Sequence, residues 1–186
     1  RDKQLEKYLT EKEKNLNVAS QKDQDQIDNL IDQIKKLGGK PNTSSSDKKT
    51  IIKELSKQLD VLNVKNVLGD KNKNIIKDEN INNIKVRFQK IVDLSPKDLR
   101  KLVDEGKNYL EKGIVIVCAS KDDKVGLAVG VTNTLTKDYD AVQLVKAGSE
   151  IIGGKGGGGR KDFAQAGGNK VEMIDEAFTK IKSLIK

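Results

Sequence analysis

From Leu5 to Leu37 apolar residues return every three or four positions: Leu5, Tyr8, Leu9, Leu16, Ala19, Ile27, Leu30, Ile31, Ile34 and Leu37. A polar gap runs from Ser20 to Gln26, and neither Gly nor Pro interrupts the segment. This spacing predicts one helix of about 50 Å at 1.5 Å per residue. Its apolar stripe is narrow and needs a partner to be buried. Gly38-Gly39-Lys40-Pro41 stops the helix. Ser44-Ser45-Ser46-Asp47 then offers N-cap candidates for a second helix. In it, Ile52, Leu55, Leu59 and Leu62 follow the 3-4-3 step of a coiled-coil seam. A short linker between two such helices predicts an antiparallel, coiled-coil-like helical hairpin over residues 1–70.

Past Gly69 the pattern changes. Ile75–Asn80 and Ile84–Asp93 read as strands around an Asn82-Asn83 turn. Ser95-Pro96-Lys97-Asp98 reads as a helix start, with Ser as cap, Pro at the first helical position and an acid at the positive end. Leu99, Leu102, Val103 and Leu110 give that helix one apolar face. Ile114–Ala119 is a continuous apolar run, as in a buried strand. The turn Lys121-Asp122-Asp123-Lys124 leads to a hairpin partner over Val125–Val131. Asp140 is placed to cap a helix running to Ile152, and Asn169-Lys170-Val171-Glu172 resembles a capping box opening a last helix. The expected architecture is α+β: the helical hairpin over 1–70, then a globular domain over 71–186 with a mixed or antiparallel sheet.

Composition narrows the chemistry. The chain has 186 residues, with 34% charged, 35% hydrophobic and 3% aromatic, which suits one modest core beside long solvated helices. No apolar run approaches the ~20 residues of a membrane span, so no membrane partner is expected. The opening Arg1-Asp2-Lys3-Gln4 is not a signal peptide. Because Arg1 is not an initiator Met, a piece of a longer protein is expected. There is no histidine. That removes Ser-His-Asp and Cys-His catalysis and His-containing zinc sites. The single cysteine, Cys118, cannot form an internal disulfide and reads as a small core residue. No catalytic or metal residue is assigned.

The net charge is +8, which points toward nucleic acid. It is unevenly spread. Residues 1–34 carry 6 positive and 8 negative charges, net −2, whereas residues 35–77 carry 11 lysines and 4 acids, net +7. Within the basic stretch, Lys49, Lys53 and Lys57 recur at i, i+4 on a face away from the seam. They form either a solvated face or a track for phosphate.

Half of the 16 glycines fall between Ile152 and Gly168, in Gly153-Gly154-Lys155-Gly156-Gly157-Gly158-Gly159-Arg160-Lys161-Asp162-Phe163-Ala164-Gln165-Ala166-Gly167-Gly168. A flexible linker would normally carry Ser and would not be flanked by cations. A Walker A loop needs Ser or Thr after Gly154-Lys155, and Gly156 stands there. A dinucleotide fingerprint needs a strand before the glycines, and here a helix precedes them. Two further readings compete with these, and the two are compatible with each other. Glycines without Cβ let backbones pack tightly. They also let successive N–H groups converge on an anion. In the second reading Gly156, Gly157, Gly158 and Gly159 shape the loop, and Lys155, Arg160 and Lys161 supply countercharge. Arg160 suits a bidentate phosphate contact, and Asp162 and Gln165 orient the loop or bond a ribose or base.

At this motif the sequence resembles the C-terminal domain of alanyl-tRNA synthetases, a domain also found at the end of DHH-type phosphoesterases. The family pattern is a Gly run, then Arg-Pro-Asp, a hydrophobe, and Ala-Gln-Ala-Gly-Gly. Gly156 to Gly168 match it, except that Lys161 replaces Pro and Phe163 replaces Met or Leu. The order of elements upstream is also similar, so the resemblance covers essentially the whole chain. It implies a non-catalytic module that binds the outer corner of alanine-specific tRNA. Such a module helps present the tRNA to the aminoacylation and editing domains of the same chain, and in some members it supports a homodimer. The resemblance further implies a cytoplasmic, ATP-dependent alanine–tRNA ligase as parent. ATP and zinc are then expected only in the parent's other domains, with no cofactor in this chain. The alternatives are a homo-oligomerisation module and the nucleic-acid-gripping domain of a DHH-type phosphoesterase.

Overall fold

The computed structural model describes residues 1–185. The chain divides into two compact units, Arg1–Asn66 and Val67–Lys186. The first holds α1 (Asp2–Lys36) and most of α2 (Lys48–Gly69). α1 ends in a Schellman motif. Gly38 sits at φ +83°, the Gly38 N–H donates to the Lys35 carbonyl, and the Gly39 N–H donates to the Ile34 carbonyl. Asp47, among the expected caps, takes the N-cap role for α2. Its Oδ2 accepts from the Thr50 N–H at 3.2 Å and the Thr50 hydroxyl at 2.8 Å.

The two expected helices are present, and their relative sense is a correction to the antiparallel expectation. The Lys48 ammonium donates to the Ser20 hydroxyl at 2.8 Å, so the start of α2 lies beside Ser20. A Cβ on Gly39 would meet Leu62 Cδ1 and Ile34 Cγ2, so Leu62 lies beside the end of α1. Both pairs are separated by similar spans of chain, and α2 therefore runs in the same direction as α1. The linker makes this geometry possible by doubling back along α2. The Gln58 amide bonds both N–H and carbonyl of Asn42, and the Glu54 carboxylate accepts from the N–H and hydroxyl of Ser44. Eleven residues at ~3.3–3.6 Å each are ample for that return. Ile27, Leu30, Ile34 and Leu55 form the buried seam, flanked by Ile31, Ile51, Ile52, Leu59 and Leu62.

The second unit is built on a six-stranded mixed sheet of order β1-β2-β3-β4-β6-β5. Its strands are β1 (Asn74–Ile81), β2 (Ile84–Val92), β3 (Gly113–Lys121), β4 (Lys124–Val131), β5 (Gly158–Gly159) and β6 (Phe163–Gly168). Two tight turns have both central residues at positive φ: Asn82 and Asn83 between β1 and β2, Asp122 and Asp123 between β3 and β4. Asn and Asp tolerate that region, and it matches the strand twist. β2 and β3 pair in parallel across α3 (Leu99–Leu110), whereas every other neighbouring pair is antiparallel.

Alternation along the strands sorts the two faces. Ile114, Ile116, Leu127 and Val129 belong to the core shared with α4 (Ala141–Ile151) and α5 (Ile174–Leu184). The opposite face carries α3. There β4 presents Gly126, Ala128 and Gly130. Added Cβ atoms at Gly126 and Gly130 would strike Pro96, Leu99, Val103 and Lys107, so the missing side chains let α3 lie close.

Two expected caps form differently. Pro96 occupies the first position of a short 3-10 turn, Pro96–Asp98, without a side-chain bond from Ser95. The capping box at Asn169 is also not made. Val171–Met173 is another 3-10 turn leading into α5, and no side chain caps it. Asp140 does cap α4, its Oδ1 accepting from the Val142 N–H at 2.9 Å. Cys118 is fully buried, and burial pushes its thiol up to about 12. It stays protonated at neutral pH and packs as core. Among the described residues no helix is long and apolar enough to cross a membrane.

Candidate nucleic-acid interface

The glycine segment is an ordered loop followed by a β-hairpin. Gly153, at φ +84°, ends α4. The Gly154 N–H then donates to the Ser149 carbonyl at 2.8 Å and the Gly156 N–H to the Ser149 hydroxyl at 3.3 Å. Ser149 is fully buried, so these two N–H groups turn inward and pin the loop to α4. This satisfies the tight-packing reading at these positions. A Cβ on Gly154 would collide with the Gly167 carbonyl and Ser149 Oγ. Gly158, by contrast, faces open space.

β5 and β6 follow as a hairpin whose tip is Lys161-Asp162. Arg160 and Phe163 exchange backbone bonds of 2.7 and 3.3 Å across it. Two outside donors clamp the tip. The Val131 N–H bonds the Asp162 carbonyl at 2.8 Å, and the Ala141 N–H bonds the Lys161 carbonyl at 3.0 Å. Lys161 is outside the positive-φ set. It occupies the turn position that accepts Pro.

Register places β6 side chains on defined faces. Ala164 pairs with Val129 and joins the α4–α5 core. Phe163 pairs with Gly130 and Gln165 with Ala128, on the α3 face. There Arg100, exposed in the first turn of α3, holds its guanidinium 5.3 Å from the centre of the Phe163 ring. A groove of about 250 Å³ opens at this edge, lined by Arg100, Gly158, Gly159, Arg160, Asp162, Phe163 and Gln165.

Of the residues singled out from sequence, the groove gathers Gly158, Gly159, Arg160, Asp162 and Gln165. Lys155, Gly156, Gly157 and Lys161 lie in the same segment outside the lining. Lys155 and Lys161 are exposed there. Among the described residues Lys155, Arg160 and Lys161 form no ion pair. Lys49, Lys53 and Lys57 belong to the other unit, where all three are exposed on α2. Sequence reasoning missed Arg100 and Ser149. Arg100 follows Leu99 in the Pro-initiated helix, and only the strand register shows that it reaches Phe163. Ser149 lies in the apolar helix just before the glycines, where a lone hydroxyl was a readable sign.

A DHHA1 domain matches residues 83–186, more than half of the chain. The chain belongs to the DHHA1-domain family. Its relatives are alanine–tRNA ligases. It is 50% identical over 103 residues to the ligase of Parvibaculum lavamentivorans, across 55% of this chain and 12% of that one. It is 38% identical over 181 residues to the ligase of Fusobacterium nucleatum, across 96% of this chain and 19% of that one. Among solved structures it is similar to the C-Ala domain of Aquifex aeolicus alanyl-tRNA synthetase. The TM-score is 0.55 and the identity 28%, covering 59% of this chain and 97% of that domain. The chain thus spans under a fifth of the curated relatives' length and is similar to their C-terminal domain.

Proposed function

We propose that this chain is a non-catalytic tRNA-binding module of an alanine–tRNA ligase. In this reading it holds alanine-specific tRNA in the cytoplasm for the aminoacylation and editing domains of the same polypeptide, and ATP and zinc serve those other domains. The observation that carries the reading is the glycine hairpin. It is braced from Val131, Ala141 and Ser149, and it presents Lys155, Arg160 and Lys161 without an acidic partner among the described residues. A rigid backbone with unpaired cations suits structured RNA, which is recognised largely through shape, phosphate and 2′-hydroxyl contacts. Gly156 to Gly159 shape the loop, with Gly156 and Gly158 leaving open space for the approaching strand, and Asp162 and Gln165 add hydrogen-bonding groups beside Arg160.

The test is binding of the chain to folded alanine-specific tRNA across a salt series. The affinity should fall steeply with salt, because neutralised phosphates release counterions. Absence of binding at low salt contradicts the reading.

Chain pairing is a second reading, favoured by one observation. Leu5, Tyr8, Leu9 and Leu16 lie 49–61% exposed along α1. Sedimentation at several concentrations separates the two, since a monomer that binds tRNA removes the need for pairing.

A further inference from the structure

We propose that the groove between the first turn of α3 and the β5–β6 hairpin holds one ribose-phosphate unit of an RNA backbone. The Arg100 and Arg160 guanidinium groups take the phosphate, and the Asp162 carboxylate accepts from the 2′-hydroxyl. This rests on the RNA-binding reading above and adds a residue from outside the glycine motif.

Arg100 is placed by packing. Gly126 lets Pro96 and Leu99 settle onto β4, which brings the first turn of α3 against the hairpin edge. The guanidinium then lies 5.3 Å from the centre of the Phe163 ring. An aromatic face attracts a cation through its quadrupole, and Phe163 supplies such a face at the groove. Phe163 therefore gives the groove a seat for a second guanidinium beside Arg160.

The groove holds charges that leave one another alone. Among the described residues Arg100, Arg160 and Asp162 make no ion pair, although all three line it. Two planar guanidinium groups suit a phosphodiester. A carboxylate beside that phosphate is unfavourable unless it meets a donor, and the ribose 2′-hydroxyl is a donor that deoxyribose lacks. At about 250 Å³ the groove falls below the ~300–1,000 Å³ range of sites that enclose whole small molecules. A single backbone unit fits that scale. Gly158, where an added Cβ would meet open space, leaves this stretch of wall without a side chain, so the sugar can approach the main chain.

The experiment uses the whole 186-residue chain with a folded alanine tRNA transcript and a DNA oligonucleotide of the same sequence. Binding is read by fluorescence anisotropy at several salt concentrations. The wild type is expected to prefer the RNA. Arg100→Ala should weaken RNA binding by about ten-fold and reduce the salt slope by about one. Arg100 is exposed, so a matched thermal melt checks that the fold persists. Phe163→Leu should produce a smaller loss with the salt slope retained. Asp162→Ala, which removes the acceptor, should narrow the gap between RNA and DNA. If Arg160→Ala weakens binding while Arg100→Ala matches wild type, the module reading stands and the groove assignment falls. An unchanged RNA-to-DNA ratio in Asp162→Ala overturns the ribose contact. A wild-type chain that binds no tRNA at low salt removes both.

Discussion

The two units solve burial in opposite ways. In the second, β3 and β4 are buried along nearly their whole length, because helices cover both faces of the sheet. In the first, burial is confined to Ile27, Leu30 and Ile34 of α1 against Leu55 of α2. α1 has 35 residues and α2 has 22, or about 52 and 33 Å. Because α2 begins beside Ser20 and runs the same way as α1, the turns carrying Leu5 to Leu16 lie ahead of its start and are not covered by it. An apolar stripe in sequence marks a face that can be covered. Whether it is covered depends on where the partner starts and in which sense it runs.

The sharpest way to break this comparison is a cross-link. In the parallel arrangement Gly39 and Leu62 are neighbours. In an antiparallel pair they would lie roughly 20 Å apart along the helix axis. Gly39→Cys with Leu62→Cys should oxidise to an intramolecular disulfide nearly completely, as read by mass under non-reducing conditions. Two unreacted thiols would contradict the assigned direction.

The next effect separates structural glycines from permissive ones in the second unit. Gly154→Ala forces a Cβ against the Gly167 carbonyl and should cost about 1–3 kcal/mol in denaturant unfolding. Gly158→Ala meets open space and should stay within about 0.5 kcal/mol of wild type. Equal costs would mean that the loop is not pinned to Ser149 as described.

The smallest effect is acidic. Arg87 bonds Asp78 through Nε and a terminal nitrogen at 2.8 and 2.9 Å and holds its carboxyl below the ordinary carboxylate range. Lys182, 2.8 Å away, does the same for Glu79, with Lys77 helping. Folded-state values below the unfolded ones add stability above the unfolded pKa. That stability is lost as pH falls through the folded pKa, below about pH 4. Asp78 is 43% exposed, so its share is less than about 1 kcal/mol. Asp78→Asn should flatten the acid limb of the stability curve slightly. A steeper limb would contradict the pairing.

Much of this architecture was legible because local chemistry dictated it. The Schellman glycines, the Asp140 cap and the Asn82-Asn83 turn follow from which residues accept left-handed backbone or cap a helix. The direction of α2 was not legible. An eleven-residue linker permits either sense, and the choice lies in Gln58 and Glu54 gripping Asn42 and Ser44. The β5–β6 hairpin was hidden for another reason. Gly and Ala lack the branched and aromatic side chains that mark strands, so its pairing comes from tertiary packing. The glycine motif was readable as a special segment. Its partner Arg100 was not, because only strand register brings α3 and β6 together.

Two cationic surfaces remain to be ranked, Lys155, Arg160 and Lys161 on the glycine segment and Lys49, Lys53 and Lys57 on α2. The decisive measurement is tRNA affinity against salt for wild type and for two triple-alanine variants, one per surface. An RNA site on the glycine segment requires that loss of its cations weakens binding and flattens the salt slope by about two to three, while loss of the α2 lysines changes both less. The reverse ranking would contradict it and leave the glycines a purely structural role.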